Sequence, residues 1–412
     1  MRICGIVAEY NPFHRGHGLH IHKTRQLLGP DTAIVCCMSG SYVQRGGPAL
    51  AEKHLRARWA VENGADLVLE LPSPYALSSA EGFARGALSL LDALGCVTDL
   101  SFGSECGDTA ALDRLAATLV EHDTVAATLL ELRTGIPYAA ARERALYQQV
   151  QEQAGLLRQP NDLLGVEYCK AIRWLGSSIV PHAILREGPG HDAPSPAQGL
   201  CSASWLRQRL QEGDWAACAP YLPPSVCRSL EELRCQGRGP LLEQNGQRAV
   251  LARLWTLSPE ELARLPGAAE GLENRLWEAI RQGSTIEEIC RMAKTKRYAF
   301  SRLRRMVWCA FLDLTAQETA APPAYLRVLA FSDRGRAVLS LARKQARLPL
   351  VTKSAHGRQL PPAARQAFEK EALRTRLSHL FAPDPGAYAP GEEWTQGPYY
   401  HRPEAPASPY NK

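Results

Sequence analysis

No stretch of this sequence approaches the roughly 20 consecutive apolar residues that a membrane-spanning helix needs. The N-terminus, MRICGIVAEY, lacks the basic, apolar and cleavage regions of a signal peptide. It reads as a buried first strand, so a cytosolic protein with no membrane partner is expected. Paired cysteines are missing as well. The twelve cysteines are scattered without a CxxC pair, and Cys36 and Cys37 point to opposite faces of a strand. That argues against a zinc ribbon and for reduced core thiols. A Walker A loop and a GxGxxG fingerprint are absent, which removes P-loop NTPases and dinucleotide oxidoreductases. No HExxH motif offers zinc a ligand set.

What is present is an ordinary globular composition, 45% hydrophobic and 22% charged over 412 residues, enough for two or three domains. The first half alternates apolar runs with helical patterns. Runs at Ile3–Ala8, Thr32–Met38, Asp66–Leu71, Val97–Gly103 and Ser178–Arg186 are expected strands. Helices are expected between them, near Gly18–Leu28, Glu52–Asn63 and Ala80–Leu94. Such alternation predicts an α/β fold, a Rossmann-like parallel sheet that binds ligands beyond its C-terminal strand ends. A helical insertion is expected at about 109–175, within a first domain of 1–217. Residues 218–381 read as a mostly α-helical C-terminal domain. The tail 382–412, rich in Pro and Gly, is expected to be disordered.

The chemistry concentrates in AEYNPFHRGH, residues 8–17, which follows the first strand and opens a helix. His14 and His17 are three apart, so at a helix start both imidazoles share one face beside free backbone N–H groups. That favours an anion, and two imidazoles can donate to charge developing on phosphates. Gly16 leaves the backbone open to a base or phosphate. His20 and His22 follow, but the four histidines do not converge on one point of a helix, so no metal site is expected. In this position the motif resembles the HxGH signature of the nucleotidyltransferase superfamily. SASWLR at 202–207 places Ser202, Ser204 and Arg207 at another helix start. It resembles the superfamily's second motif, which holds triphosphate and departing pyrophosphate. Taken alone it reads equally as a helix cap.

Residues 291–310 hold Arg291, Lys294, Lys296, Arg297, Arg302, Arg304 and Arg305 without an acid, with Tyr298, Phe300 and Trp308 between them. Basic and aromatic residues in this mixture suit a nucleic acid. A solvated helix face is the plainer reading.

VAEYNPFHRGH, MSGSYVQRGGPA, ENGADLVLELP, SAEGFARGA, SFGSE, QPNDLLGVEYCKAI, ILREGPGHD and SASWLR occur in an order that resembles the bacterial tRNA(Met) cytidine acetate ligases. TKRYAFSRLRRM and YLRVLAFSDRGR extend the resemblance over most of residues 1–350. It implies that ATP and acetate form acetyl-adenylate. The acetyl group then passes to the wobble cytidine of elongator tRNA(Met), giving N4-acetylcytidine. It also implies an ATP site. Val7, Ala8, Glu9, Tyr10 and Asn11 begin the loop, and Pro12, Phe13, His14, Arg15 and Gly16 continue it. His17, Gly18, Leu19 and His20 close it. Gly103, Asn161, Arg186 and Ser202 complete the nucleotide positions, although Gly103 also reads as a turn glycine and Asn161 as a helix cap. His14, His17, Ser204 and Arg207 carry the catalytic expectation, with Mg2+ accompanying ATP. Lys294, Lys296, Arg297, Arg302, Arg304 and Arg305 are expected on tRNA phosphates. Gln44, Arg45, Lys53, Arg56 and Arg58 are expected at the mouth of the site.

Overall fold

The five expected strands form Ile3–Ala8 (β1), Ala33–Ser39 (β2), Leu67–Leu71 (β3), Asp99–Ser104 (β4) and Val180–Leu185 (β5). They are seen in a computed structural model that describes residues 1–121, 151–187, 199–269, 271–296 and 298–402, with 128, 131, 136, 141, 144, 195 and 196. The strands run parallel in the order β5-β4-β1-β2-β3. β2 is buried along its whole length, as a strand covered on both faces must be. Alternate residues feed two cores. Ile3, Val35, Cys37 and Leu69 pack with Phe83, Leu88, Leu115 and Val166. Cys4, Ile6, Cys36 and Met38 pack with Ile21, Ala57 and Trp59 on the other face. The first crossovers place β2 on one side of β1, while β4 lies on the other. The crevice between the ends of β1 and β4 is therefore the switch point where such sheets take ligands.

Of the expected insertion, helices Thr109–Glu121 and Pro160–Leu175 pack on the sheet beside helix Ala80–Ala93. Most of 122–150 lies outside the described residues. Among the described residues, no helix is long and apolar enough to cross a membrane.

The second half departs from the expectation in three ways. It is mostly helical, as expected, but Leu326–Ser332 (β6), Leu350–Val351 (β7) and Tyr399–His401 (β8) also extend the same sheet. β6 runs antiparallel against β3, pairing Val68 with Ala330, and so covers an edge that would otherwise stay open. The boundary at 217 also moves. Cys218, Leu222, Val226, Leu230 and Leu233 share the core of Leu206, Trp59 and Leu329. A separate helical core begins only near Leu241 and runs to Leu314, closed by Phe381 and Tyr388.

Finally, residues 382–402, expected to be disordered, are folded. Tyr388 donates to the Arg238 carbonyl at 2.6 Å, under the Arg238 guanidinium 4.2 Å from its ring. Trp394 packs on Phe368 with ring centroids 5.1 Å apart, and β8 pairs with β6. Composition suggested disorder because Pro and Gly are frequent, but a few aromatic and acidic anchors have buried partners. Residues 403–412 lie outside the described residues.

Candidate active site

The end of β1 is held by a buried guanidinium. Arg56, with no exposed surface, donates to the carbonyls of Glu9 (2.6 Å), Ala51 (2.9 Å), Ser39 (3.0 Å) and Gly40. Burial pulls its pKa down to about 10, against the nearby carboxylates of Glu9 and Glu70. Arg56 thus ties the ends of β1 and β2 together and does not reach the mouth of the site. Lys53 is buried too, within 2.6 Å of Glu70. Arg58 lies at the surface and pairs with Glu62. Of the residues expected at the mouth, Gln44 and Arg45 line the cleft. The Gln44 amide donates to Glu9 Oε1 at 2.7 Å.

After β1 the chain turns through Tyr10, at φ 46°. The Asn11 side chain accepts from the Leu50 amide (2.7 Å), and its carbonyl accepts from Arg207 (2.9 Å). Helix Arg15–Leu28 then begins with a capping box made from two imidazoles. His14 Nδ1 accepts from the Gly16 amide at 3.1 Å, and His17 Nδ1 accepts from the His14 amide at 3.2 Å. An acceptor nitrogen carries no proton, so each neutral ring keeps its N–H at Nε2. The rings stack with centroids 3.8 Å apart, and Tyr10 and Phe13 pack against His17. A Cβ on residue 16 would lie 2.9 Å from His14 Cε1. The imidazole by itself favours glycine there.

His20 also faces the cleft, with Nε2 2.9 Å from Ser101 Oγ. Burial, then the charges of Arg186 and Lys23, push its pKa down to about 4, so it is a neutral ring. At the end of β4, a Cβ on Gly103 would meet Arg186 Cγ at 3.1 Å. Burial lowers the Arg186 pKa, and Glu105 opposes that. Asn161 is not a cap. Helix Pro160–Leu175 has Gln159 there, and Asn161 donates Nδ2 to Glu105 at 2.5 Å. Ser202 caps helix Ala203–Gln211 by accepting from the Trp205 amide at 3.1 Å.

One cleft, with roughly 1540 Å³ of atom-free space open to solvent, joins these positions. Val7, Ala8, Glu9, Tyr10, Asn11, His14, Gly16, His17, Leu19 and His20 line it with Gly103, Asn161, Arg186, Ser202 and Arg207. Pro12, Phe13, Arg15, Gly18 and Ser204 do not; Phe13 is buried, and Ser204 reaches Ser202 Oγ at 3.3 Å. The sequence reading missed Lys23, Phe83 and Tyr168 in the lining. Lys23 was legible, because His17, His20 and Lys23 recur every three residues along one helix face. Among the described residues, no group of three His, Cys, Asp or Glu is placed to hold a metal ion.

The basic run divides. Lys294 and Lys296 are exposed, and Arg297 lies outside the described residues. Arg302 donates to the Gly267 carbonyl at 2.6 Å. Arg304 donates to the Gly46 carbonyl at 2.7 Å and pairs with Glu243 at 2.5 Å, while burial lowers the Arg305 pKa. Arg304 therefore joins the helical core to the turn that carries Gln44 and Arg45.

A parallel sheet whose first strand ends in a histidine-capped helix at the switch point is a nucleotidyltransferase of the HIGH type. The HIGH Nucleotidyl Transferase family model matches residues 1–389. The tRNA(Met) cytidine acetate ligase of Alkaliphilus metalliredigens is 34% identical, covering 98% of this chain and 99% of that protein. That of Thermotoga petrophila is 36% identical, covering 91% and 94%. Among solved structures, apo Thermotoga maritima TmcAL superposes with a TM-score of 0.93 at 32% identity, covering 98% of this chain and all of that one. The same protein bound with alpha-thio ATP gives 0.91 at 32% identity, with the same coverage. The chain belongs to the tRNA(Met) cytidine acetate ligase family.

Proposed function

We propose that this protein, acting in the cytosol, binds ATP in the cleft and joins acetate to AMP. It then transfers the acetyl group to the wobble cytidine of elongator tRNA(Met). The observation that carries this reading is the imidazole capping box, with its two Nε2–H groups beside the N-terminus of the first helix. Similarity to ligases of that name, and to a TmcAL bound with an ATP analogue, supports it.

In the first step an acetate oxygen attacks the α-phosphorus and the bond to pyrophosphate breaks. His14 and His17 stabilise the charge gathering on the phosphate oxygens, as preorganised donors do. Arg207 and Ser202, which line the same cleft, attend the leaving pyrophosphate, and Ser204 orients Ser202. Arg186 adds positive charge in the same cleft, which Lys23, paired with Glu187, lines from the first helix. Mg2+ would accompany the triphosphate, keeping its waters and needing only one or two carboxylates besides phosphate oxygens, although Glu187 already pairs with Lys23 at 2.5 Å. Glu9 and Glu187 are the acids in the lining. In the second step the cytidine N4 attacks the acetyl carbonyl carbon, the carbon–oxygen bond to AMP breaks, and N4 loses a proton. Lys294 and Lys296 are exposed and contribute phosphate contacts to the RNA.

The test is an incubation with ATP, labelled acetate and bulk bacterial tRNA, followed by nucleoside analysis. Labelled N4-acetylcytidine is expected. Acetyl-adenylate without labelled RNA would replace the acceptor, and no adenylate would point instead to an adenylyltransferase acting on another small molecule.

A further inference from the structure

Glu105, one residue beyond β4, is absent from the cleft lining yet bonds to a residue that forms it. Its carboxylate accepts from the Asn161 amide at 3.1 Å, the Asp162 amide at 2.9 Å and Asn161 Nδ2 at 2.5 Å. Asp162 returns the arrangement. Its Oδ1 accepts from Ser104 Oγ (2.5 Å), the Glu105 amide (2.9 Å) and the Cys106 amide (3.2 Å). The two carboxylates lock the start of helix Pro160–Leu175 to the end of β4.

This lock decides which way the Asn161 amide faces. An ionised carboxylate accepts and never donates, so the group turned to Glu105 must be the NH2. The Asn161 oxygen is then directed away from Glu105, and among the described residues it has no hydrogen-bond partner. Asn161 lines the cleft beside Leu164, one turn along the same helix, and near Phe102, Gly103 and Tyr168. Phe102 and Tyr168 pack with ring centroids 5.6 Å apart. Phe102, Leu164 and Tyr168 offer a base an apolar surface, with Arg186 beside Gly103, whereas His14, His17 and Arg207 belong to the first helix and helix Ala203–Gln211.

We propose that Glu105 is a positioning residue that fixes the Asn161 oxygen as an acceptor for the exocyclic amine of adenine, and so selects ATP. The proposal rests on ATP being the nucleotide in this cleft. A nucleotide with a carbonyl at that position sets oxygen against oxygen, and a buried acceptor without a donor is costly. With Glu105→Gln, the new side-chain amide can present either its oxygen or its NH2 to Asn161. The Asn161 amide is then free to turn, and its NH2 can serve a carbonyl.

The experiment measures equilibrium binding of ATP and of inosine triphosphate, which has a carbonyl in place of the exocyclic amine and a proton on the adjacent N1, without acetate or tRNA. The intact protein is expected to prefer ATP by at least about tenfold, and Glu105→Gln to bring the ratio towards one. Equal weakening of both nucleotides in the variant would reduce Glu105 to a structural cap and overturn the proposal. Lack of preference in the intact protein would overturn it too. If Glu105→Gln does not fold, Asn161→Ala leaves Glu105 on its backbone amides and is expected to lose the preference; a retained preference overturns the proposal. Because acetate is not needed, a Glu105-dependent preference in a protein that fails to activate acetate would sink the proposed reaction and leave this inference standing.

Discussion

Lys53 Nζ lies 2.5 Å from Glu393 Oε1, 340 residues further along the chain. Lys53 also donates to Glu70 at 2.6 Å and Thr375 at 3.0 Å, and Arg327 closes on Glu393 from the other side. All four charged groups are buried. Removing one partner from such a set leaves charge uncompensated, so Glu393→Ala is expected to cost about 3 to 5 kcal/mol. Urea denaturation measures it, and a loss under about 1 kcal/mol would show that the tail does not anchor the sheet.

The same residue gives a pH dependence. Burial raises the Glu393 pKa, but Lys53 and Arg327 prevail and hold it below its ordinary 4.5. A depressed carboxylate stabilises the fold above its unfolded value and loses that stabilisation as the pH falls through the folded one. The penalty of Glu393→Gln is therefore expected to be full at neutral pH and to shrink progressively below about pH 4.5, as denaturation midpoints at several pH values will read.

His20 has the opposite chemistry and the same slope. Its pKa falls from 6.5 to about 4, so the unfolded chain binds the proton first. Its contribution is full above 6.5 and is lost as pH falls towards 4. His20→Gln is expected to flatten the stability curve of the protein between those values. An unchanged slope in the variant would show that His20 does not stay neutral.

The parallel strands were legible because each is a short apolar run bounded by turn residues, and HxGH was legible because its partners are three residues apart. Longer-range pairing hid the rest. No spacing in the sequence links Glu70, Arg327 and Glu393 to Lys53; the fold brings them together. LRVLAFS was overshadowed by the helical pattern that follows it. Gly16 was singled out for a ligand's approach, but the neighbour that a Cβ there would meet is His14, which no spacing rule reveals. Arg304 looked like RNA-binding charge because a count of basic residues says nothing about the Gly46 carbonyl.

His14 combines two roles that a suitable substitution separates. Asparagine is a good helix cap but has no imidazole. His14→Asn is expected to keep the melting temperature within a few degrees and to slow acetate-dependent ATP–pyrophosphate exchange about a hundredfold to a thousandfold. His14→Ala adds a loss of about 1 kcal/mol in stability. Exchange at near-normal rates in His14→Asn would remove the imidazole from the chemistry.

The basic run offers a sharper division. Lys294 and Lys296 are exposed, whereas Arg304 donates to the Gly46 carbonyl and pairs with Glu243. Replacing each lysine by alanine is expected to weaken tRNA binding and lower its salt dependence by about one unit of slope for each phosphate no longer neutralised. Acetate activation without tRNA should persist in both. Arg304→Ala should behave differently, because the turn it holds presents Gln44 and Arg45 to the cleft and donates the Gln44 amide to Glu9. A displaced turn moves lining groups by an ångström or so, enough to slow exchange about tenfold to a hundredfold even with no RNA present. Exchange assays without tRNA, run beside filter binding at several salt concentrations, read both effects. If Arg304→Ala spares exchange and flattens the salt dependence, Arg304 works as an RNA contact and the turn stands without it.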